Sequence, residues 1–169
     1  TDLNVGGAET MLCKLLSHMD REKFQNIVVS MQDEGVLGKD IKRAGIPLLT
    51  LNMKPGIPNP VGIYRLGRIF KKTKPDILQT WLYHADLFGM ISRIVMRVPI
   101  IVWNVRCSLL QKDDHPTSLF AVINFLAKLS HVTNAVIVNS EIGKKIHRSL
   151  GYKPARWEVI PNGFDTALF

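Results

Sequence analysis

Asp76-Ile77-Leu78-Gln79-Thr80-Trp81, followed by His84 to Met96 and then by Pro99 to Trp103, decides the fold of this chain. Pro75 stops whatever helix precedes it, and the six residues after it read as a strand. From His84 to Met96, Leu87, Phe88, Ile91, Ile94 and Val95 recur at helical spacing and make one apolar stripe. Pro99 to Trp103 then reads as strand again, so the stretch is one strand–helix–strand unit.

The alternation continues outward in both directions. Towards the N-terminus, Val61 to Lys74 reads as a helix with Ile63, Leu66, Ile69 and Phe70 inward and a basic C-terminal end that suits its dipole. Lys54 to Pro60 is a proline-rich loop, and Ile46 to Leu51 a strand. Gly35 to Ala44 is a short helix closed by Gly45, and Asn26 to Met31 a strand of the apolar kind buried on both faces of a parallel sheet. Ala8, Met11, Leu12, Leu15, Leu16 and Met19 form one face of a first helix that ends near Asp20. Towards the C-terminus come a polar loop from Val105 to Pro116, a helix from Ser118 to Ser130 and a strand from Ala135 to Asn139. Ser140 caps a helix striped by Ile142, Ile146 and Leu150 and ended by Gly151; Trp157 to Ile160 is the last strand. This spacing implies an α/β fold: a Rossmann-like parallel sheet with helices on both faces and ligands at the carboxyl ends of its strands.

One element is missing from the pattern. The turn Asn4-Val5-Gly6-Gly7-Ala8-Glu9 should follow a strand, yet only Thr1, Asp2 and Leu3 precede it. The expectation is a sheet lacking its first strand, the chain being a fragment, or else a slot filled by another segment or molecule.

The 169 residues suffice for one domain that buries about two thirds of its chain surface. A net charge of +8 favours anionic partners, although the positives are dispersed and a merely solvated basic face competes with that reading. Clustered basic residues interleaved with exposed aromatics are absent, so nucleic acid is the least favoured partner. Cys13 and Cys107 have no metal or disulfide spacing and read as reduced thiols of a cytosolic protein. No apolar run reaches membrane-spanning length, and no signal-peptide pattern opens the sequence.

Functional residues of such a sheet belong just past the strand ends. Gly6 and Gly7 open a helix, where bare N–H groups and the helix dipole accept phosphate, although paired glycines also make ordinary turns. His84 stands where a strand hands over to a helix and is the candidate acid–base group; its competing reading is a helix-start residue bonded to backbone. Arg106, Ser140, Asn162 and Gly163 follow other strands and are candidate substrate contacts, Arg106 through a phosphate or carboxylate. His18, His115, His131 and His147 read as surface or loop residues, and Asp113-Asp114-His115 as a loop. The chain has no Asp-x-Asp pair, no Walker loop, no Gly-x-Gly-x-x-Gly fingerprint and no Gly-x-Ser-x-Gly elbow.

The ordered motifs Asn4-Val5-Gly6-Gly7-Ala8-Glu9, Thr80-Trp81-Leu82-Tyr83-His84-Ala85-Asp86-Leu87, Trp103-Asn104-Val105-Arg106, Val138-Asn139-Ser140 and Val159-Ile160-Pro161-Asn162-Gly163-Phe164-Asp165 resemble the N-terminal half of family 4 (group 1) retaining glycosyltransferases of GT-B fold. The resemblance implies sugar transfer from a nucleotide-sugar donor to a polysaccharide or lipid-linked acceptor, with Gly6 and Gly7 near the donor diphosphate and His84 near the reacting centre. It implies no cofactor and no metal. It makes residues 1–161 the acceptor-side domain and 162–169 the start of the interdomain linker, with the donor-binding domain absent and the fragment inactive alone. The loops Lys54 to Pro60 and Arg106 to Pro116 become candidates for acceptor contact. A cytoplasmic location follows, with peripheral contact to an anionic membrane face. Two alternatives stay open: a non-catalytic α/β module binding an anionic ligand, and a sugar-nucleotide epimerase of the same two-domain fold.

Overall fold

A computed structural model describes residues 2–54, 60–107 and 116–163. The chain divides into two compact units, 1–69 and 70–169. Helices α1 (Gly7–His18), α2 (Gly38–Arg43) and α3 (Pro60–Thr73) alternate with strands β1 (Val28–Ser30) and β2 (Leu48–Thr50). Then follow β3 (Ile77–Trp81), α4 (Tyr83–Met96), β4 (Ile100–Val105), α5 (Thr117–Leu129), β5 (Ala135–Val138), α6 (Glu141–Ser149) and β6 (Trp157–Val159), with a short 3-10 turn at Ser130–Val132. The expected order of elements is the observed one, and the fold is α/β and Rossmann-like. Boundaries move by one to three residues, most where strand ends lose their ladder partners.

The strands hydrogen-bond as two parallel sheets, β1-β2 and β3-β4-β5-β6. In the first unit β1 pairs with β2 from Val28↔Leu48 to Ser30↔Thr50, and Leu3, Leu16, Val28, Ile41 and Ile46 make the core. No strand precedes α1 among the described residues, yet Leu3 is buried and its carbonyl accepts from Leu37 N at 2.9 Å. The backbone of Leu3 runs so close to Gly35 that a Cβ there would stand 2.4 Å from the Leu3 carbonyl carbon. Gly35 also has φ of +55°, so both space and conformation demand glycine.

In the second unit the ladders run from Ile77↔Ile100 to Trp81↔Asn104, from Val102↔Ala135 to Val105↔Val138, and from Val136↔Trp157 to Val138↔Val159. Because side chains alternate along a strand, Ile101, Trp103 and Val105 share one face with Val136 and Val138. All five are essentially fully buried, and Ile123 and Leu126 of α5 join them in one core with Tyr83, Met90 and Tyr152.

Two expectations about side chains need correction. The stripe of α6 loses one member: Ile142 is 64% exposed, while Ile146 and Leu150 are half-buried, Leu150 against the core, and the fully buried residues of α6 are Gly143 and His147. His147 is therefore not a surface residue but lies wholly inside, at 0% exposure. A histidine can replace an apolar residue in a core when both ring nitrogens find partners, as they do below. On α4, Phe88 is buried with Leu87 and Ile91 half-buried as expected, while the side chains of Ile94 and Val95 lie outside the described residues. The same holds for 55–59 in the Lys54 to Pro60 loop, for 108–115, including Asp113-Asp114-His115, and for 164–169.

Candidate functional site

In the first unit the Gly-Gly turn does open a helix. Gly6 is the N-cap in extended conformation, and its carbonyl accepts the first helical bond from Thr10 N at 2.9 Å. Gly6 has no side chain with which to cap this end, and the leading N–H groups of a helix have no intrahelical partner, which suits an anion. Gly7 is exposed and a Cβ there would meet nothing, whereas a Cβ on Gly6 would collide with the Glu9 carboxylate, 2.3 Å away. Glu9 thus folds back over the turn, and a phosphate arriving there has to displace it.

The second unit carries the denser constellation, at the carboxyl ends of β3, β4 and β6. Leu82 links β3 to α4 with φ of +70° and ψ of 159°, a region that a leucine rarely enters. Such a conformation costs on the order of 1–3 kcal/mol and persists only where neighbours enforce it. Here Leu82 N donates to Asn104 O at 3.2 Å, and Leu82 O accepts from Asp86 N at 3.0 Å. Close packing below helps: a Cβ on Gly89 would sit 2.5 Å from Thr80 Cγ2, so glycine lets α4 approach β3.

His84 is the second residue of α4 and is half-buried. Its ring has no hydrogen-bond partner among the described residues, and burial lowers its pKa from the ordinary 6.5. The imidazole is consequently neutral at pH 7, with one donor and one acceptor nitrogen to offer.

Arg106, just past β4, is seated by three strands. Its Nε donates to Asn104 Oδ1 at 2.8 Å, and its Nη1 donates to Asn162 Oδ1, beyond β6, at 2.6 Å. The guanidinium carbon stands 5.0 Å from the centre of the Trp81 ring at the end of β3. Asn104 and Trp81 belong to the same motifs as Arg106 and His84, yet their joint role as its seat was not read from the sequence. The usable signal was positional: both end adjacent strands.

Ser140 does what a capping serine does. Its Oγ accepts from Gly143 N at 3.0 Å, which fixes the start of α6 and commits that oxygen to the helix. Gly163 is exposed with open space around its Cα. The second unit therefore brings Arg106 and Asn162 together, while Ser140 serves α6.

Beneath this rim lies a buried polar cluster that sequence reading missed. His147 Nδ1 donates to Gly143 O at 2.7 Å, so Nε2 is left to accept from the Tyr83 hydroxyl at 2.8 Å. Burial lowers the His147 pKa and raises that of the Tyr83 phenol, so both are neutral. The His147 ring also meets Tyr152 edge-on, centres 5.2 Å apart. On the first turn of α4, Asp86 is completely buried; one oxygen accepts from the Thr80 hydroxyl and the other has no partner. Burial pushes its pKa well above 3.8 and favours the protonated carboxyl. Tyr83 and Asp86 flank His84 in sequence, so these contacts hold the helix start that presents it.

Among the described residues no group of three His, Cys, Asp or Glu side chains is placed to hold a metal ion, and no helix is long and apolar enough to cross a membrane. The crystal structure of Anabaena HepE (Alr3699) in complex with UDP and glucose is similar to this chain at a TM-score of 0.71 and 19% identity. The match covers 97% of this chain and 43% of that one, and it establishes the shared fold. No curated protein sequence matches the chain. The model of Glycosyltransferase Family 4 matches residues 5–168, nearly the whole length, and with the strand-end motifs in their expected order the chain belongs to that family.

Proposed function

We propose that residues 1–169 form the acceptor-side half of a retaining glycosyltransferase, moving a sugar from a nucleotide-sugar donor to a polysaccharide or lipid-linked acceptor. The family match carries this reading, and the neighbour with UDP and glucose supports a nucleotide-sugar donor. In the reaction the bond from the anomeric carbon to the diphosphate oxygen breaks. A bond to an acceptor oxygen forms on the same face, the acceptor proton is lost, and the nucleoside diphosphate leaves. Gly6 and Gly7 are assigned to the diphosphate, through N–H groups that α1 leaves unpaired. His84 is assigned to a hydroxyl of the reacting sugar, which a neutral imidazole with no other partner suits. Transfer is proposed to need no metal. The +8 charge suits work at the cytoplasmic, anionic face of a membrane.

The matched neighbour is more than twice as long as this chain, and the reading predicts no turnover from residues 1–169 alone. Joined to a donor-binding domain, the enzyme should transfer sugar, and His84→Ala should lower that rate by about 10²–10⁴-fold with the fold intact by circular dichroism. Undiminished transfer by the variant would remove His84 from the reaction. Isomerised donor without acceptor would favour the epimerase instead.

A further inference from the structure

Arg106 is a half-buried cation with no counter-charge among the described residues. Both of its hydrogen-bond partners, Asn104 and Asn162, are neutral amides, and its third neighbour is the face of Trp81. No Asp or Glu pairs with it among the described residues, although the exposed Arg43 and Arg156 both have carboxylate partners. Burial pushes the pKa of its guanidinium down, as desolvation of a cation does. Arginines at structural posts are normally neutralised, because an unpaired buried charge is costly. This one is instead held in position by neutral groups that use Nε and one hydrogen of Nη1, and among the described residues none takes the donors of Nη2. The end-on fork of a guanidinium fits the paired oxygens of phosphate or carboxylate.

We infer that Arg106, seated by Asn104 and Asn162 over Trp81, is a receptor for one oxyanion of a substrate, a phosphate in preference to a carboxylate for its higher charge. The inference rests on the glycosyl-transfer reading for calling that phosphate part of a substrate. Two sources supply the same chemistry: a phosphate ester on the acceptor, and the diphosphate of the donor.

The 169-residue chain reports on the site through Trp81 itself. Titration with inorganic phosphate at constant ionic strength should change its tryptophan emission saturably, and Trp81→Phe should abolish the change. Arg106→Gln and Arg106→Lys should each raise the half-saturating concentration at least tenfold, the lysine because it keeps the charge but loses the fork. Asn162→Asp is the decisive variant: it is nearly isosteric, supplies the missing counter-charge and should exclude phosphate to the same extent without disturbing the fold. A response that is absent in the parent chain, or unaltered by Arg106→Gln and Asn162→Asp, overturns the inference. Glycerol phosphate binding more tightly than a nucleoside diphosphate assigns the group to the acceptor; the reverse order assigns it to the donor. Phosphate bound at Arg106 without any sugar transfer would break the enzyme reading alone. Transfer that depends on His84 without phosphate binding would break this inference alone.

Discussion

His84 and His147 occupy opposite kinds of place within the second unit. His84 sits at the open strand-end rim, half-buried, its ring without a hydrogen-bond partner among the described residues. His147 lies wholly within the core, with one nitrogen on Gly143 O and the other on the Tyr83 hydroxyl. Both are neutral because burial disfavours the imidazolium, yet only one has hydrogen bonds to spare. Satisfaction of the ring, more than burial or protonation, separates a structural histidine from one poised for a ligand. Arg106 and Asp86 repeat the contrast for charge: the rim holds a cation that no described carboxylate neutralises, whereas burial in the core disfavours the charged form of the Asp86 carboxyl.

The contrast breaks first on stability. Replacing His147 by Leu takes the acceptor from the Tyr83 hydroxyl and a second donor from the Gly143 carbonyl, and should cost about 2–4 kcal/mol. His84→Ala removes no hydrogen bond among the described residues and should cost under about 1 kcal/mol. Urea denaturation of the two variants measures both. Equal losses would mean that the ring of His84 is as structural as that of His147.

The pH dependence sharpens the same division. Above 3.8 the unfolded chain releases the Asp86 proton while the folded chain keeps it, so this group makes stability fall as pH rises towards its elevated folded pKa. His147 acts in the opposite direction. Below 6.5 the unfolded chain gains a proton that the folded chain refuses, so stability falls as pH drops towards the depressed folded value. Each slope is at most about 1.4 kcal/mol per pH unit. Asp86→Asn keeps an oxygen for Thr80 and removes the first slope. Its stability relative to the parent should therefore rise between pH 4 and pH 7. A difference that stays flat would mean that Asp86 ionises within the fold.

The order of elements was legible because each strand and helix writes its own period, and because Pro75, Ser140 and Gly151 punctuate it. The rim was legible for a related reason: strand ends can be located, and His84, Arg106 and Asn162 follow them directly. The partner of a buried group was not. Tyr83 and His147 are 64 residues apart, and no local pattern joins them. Helical spacing even misled in part on α6, where Ile142 looks inward but is exposed, and Gly143 and His147 are the residues fully buried. The strain at Leu82 was equally silent, since leucine is not a residue whose presence announces a positive φ.

The smallest effect concerns the starts of α1 and α6, an open end and a closed one. At α6 the Ser140 hydroxyl takes the Gly143 N–H, and Ser140→Ala should cost about 1 kcal/mol in urea denaturation. At α1 the N-cap is Gly6, with no hydroxyl to lose, and the Glu9 carboxylate lies over the turn. Glu9→Gln removes the negative charge from an end whose dipole favours it, and should cost about 0.3–1 kcal/mol. The same change removes the repulsion that an incoming diphosphate meets, so donor affinity in the complete enzyme should rise as stability falls. If affinity stays the same or drops, Glu9 does not guard the turn, and the open end of α1 is only an uncapped helix.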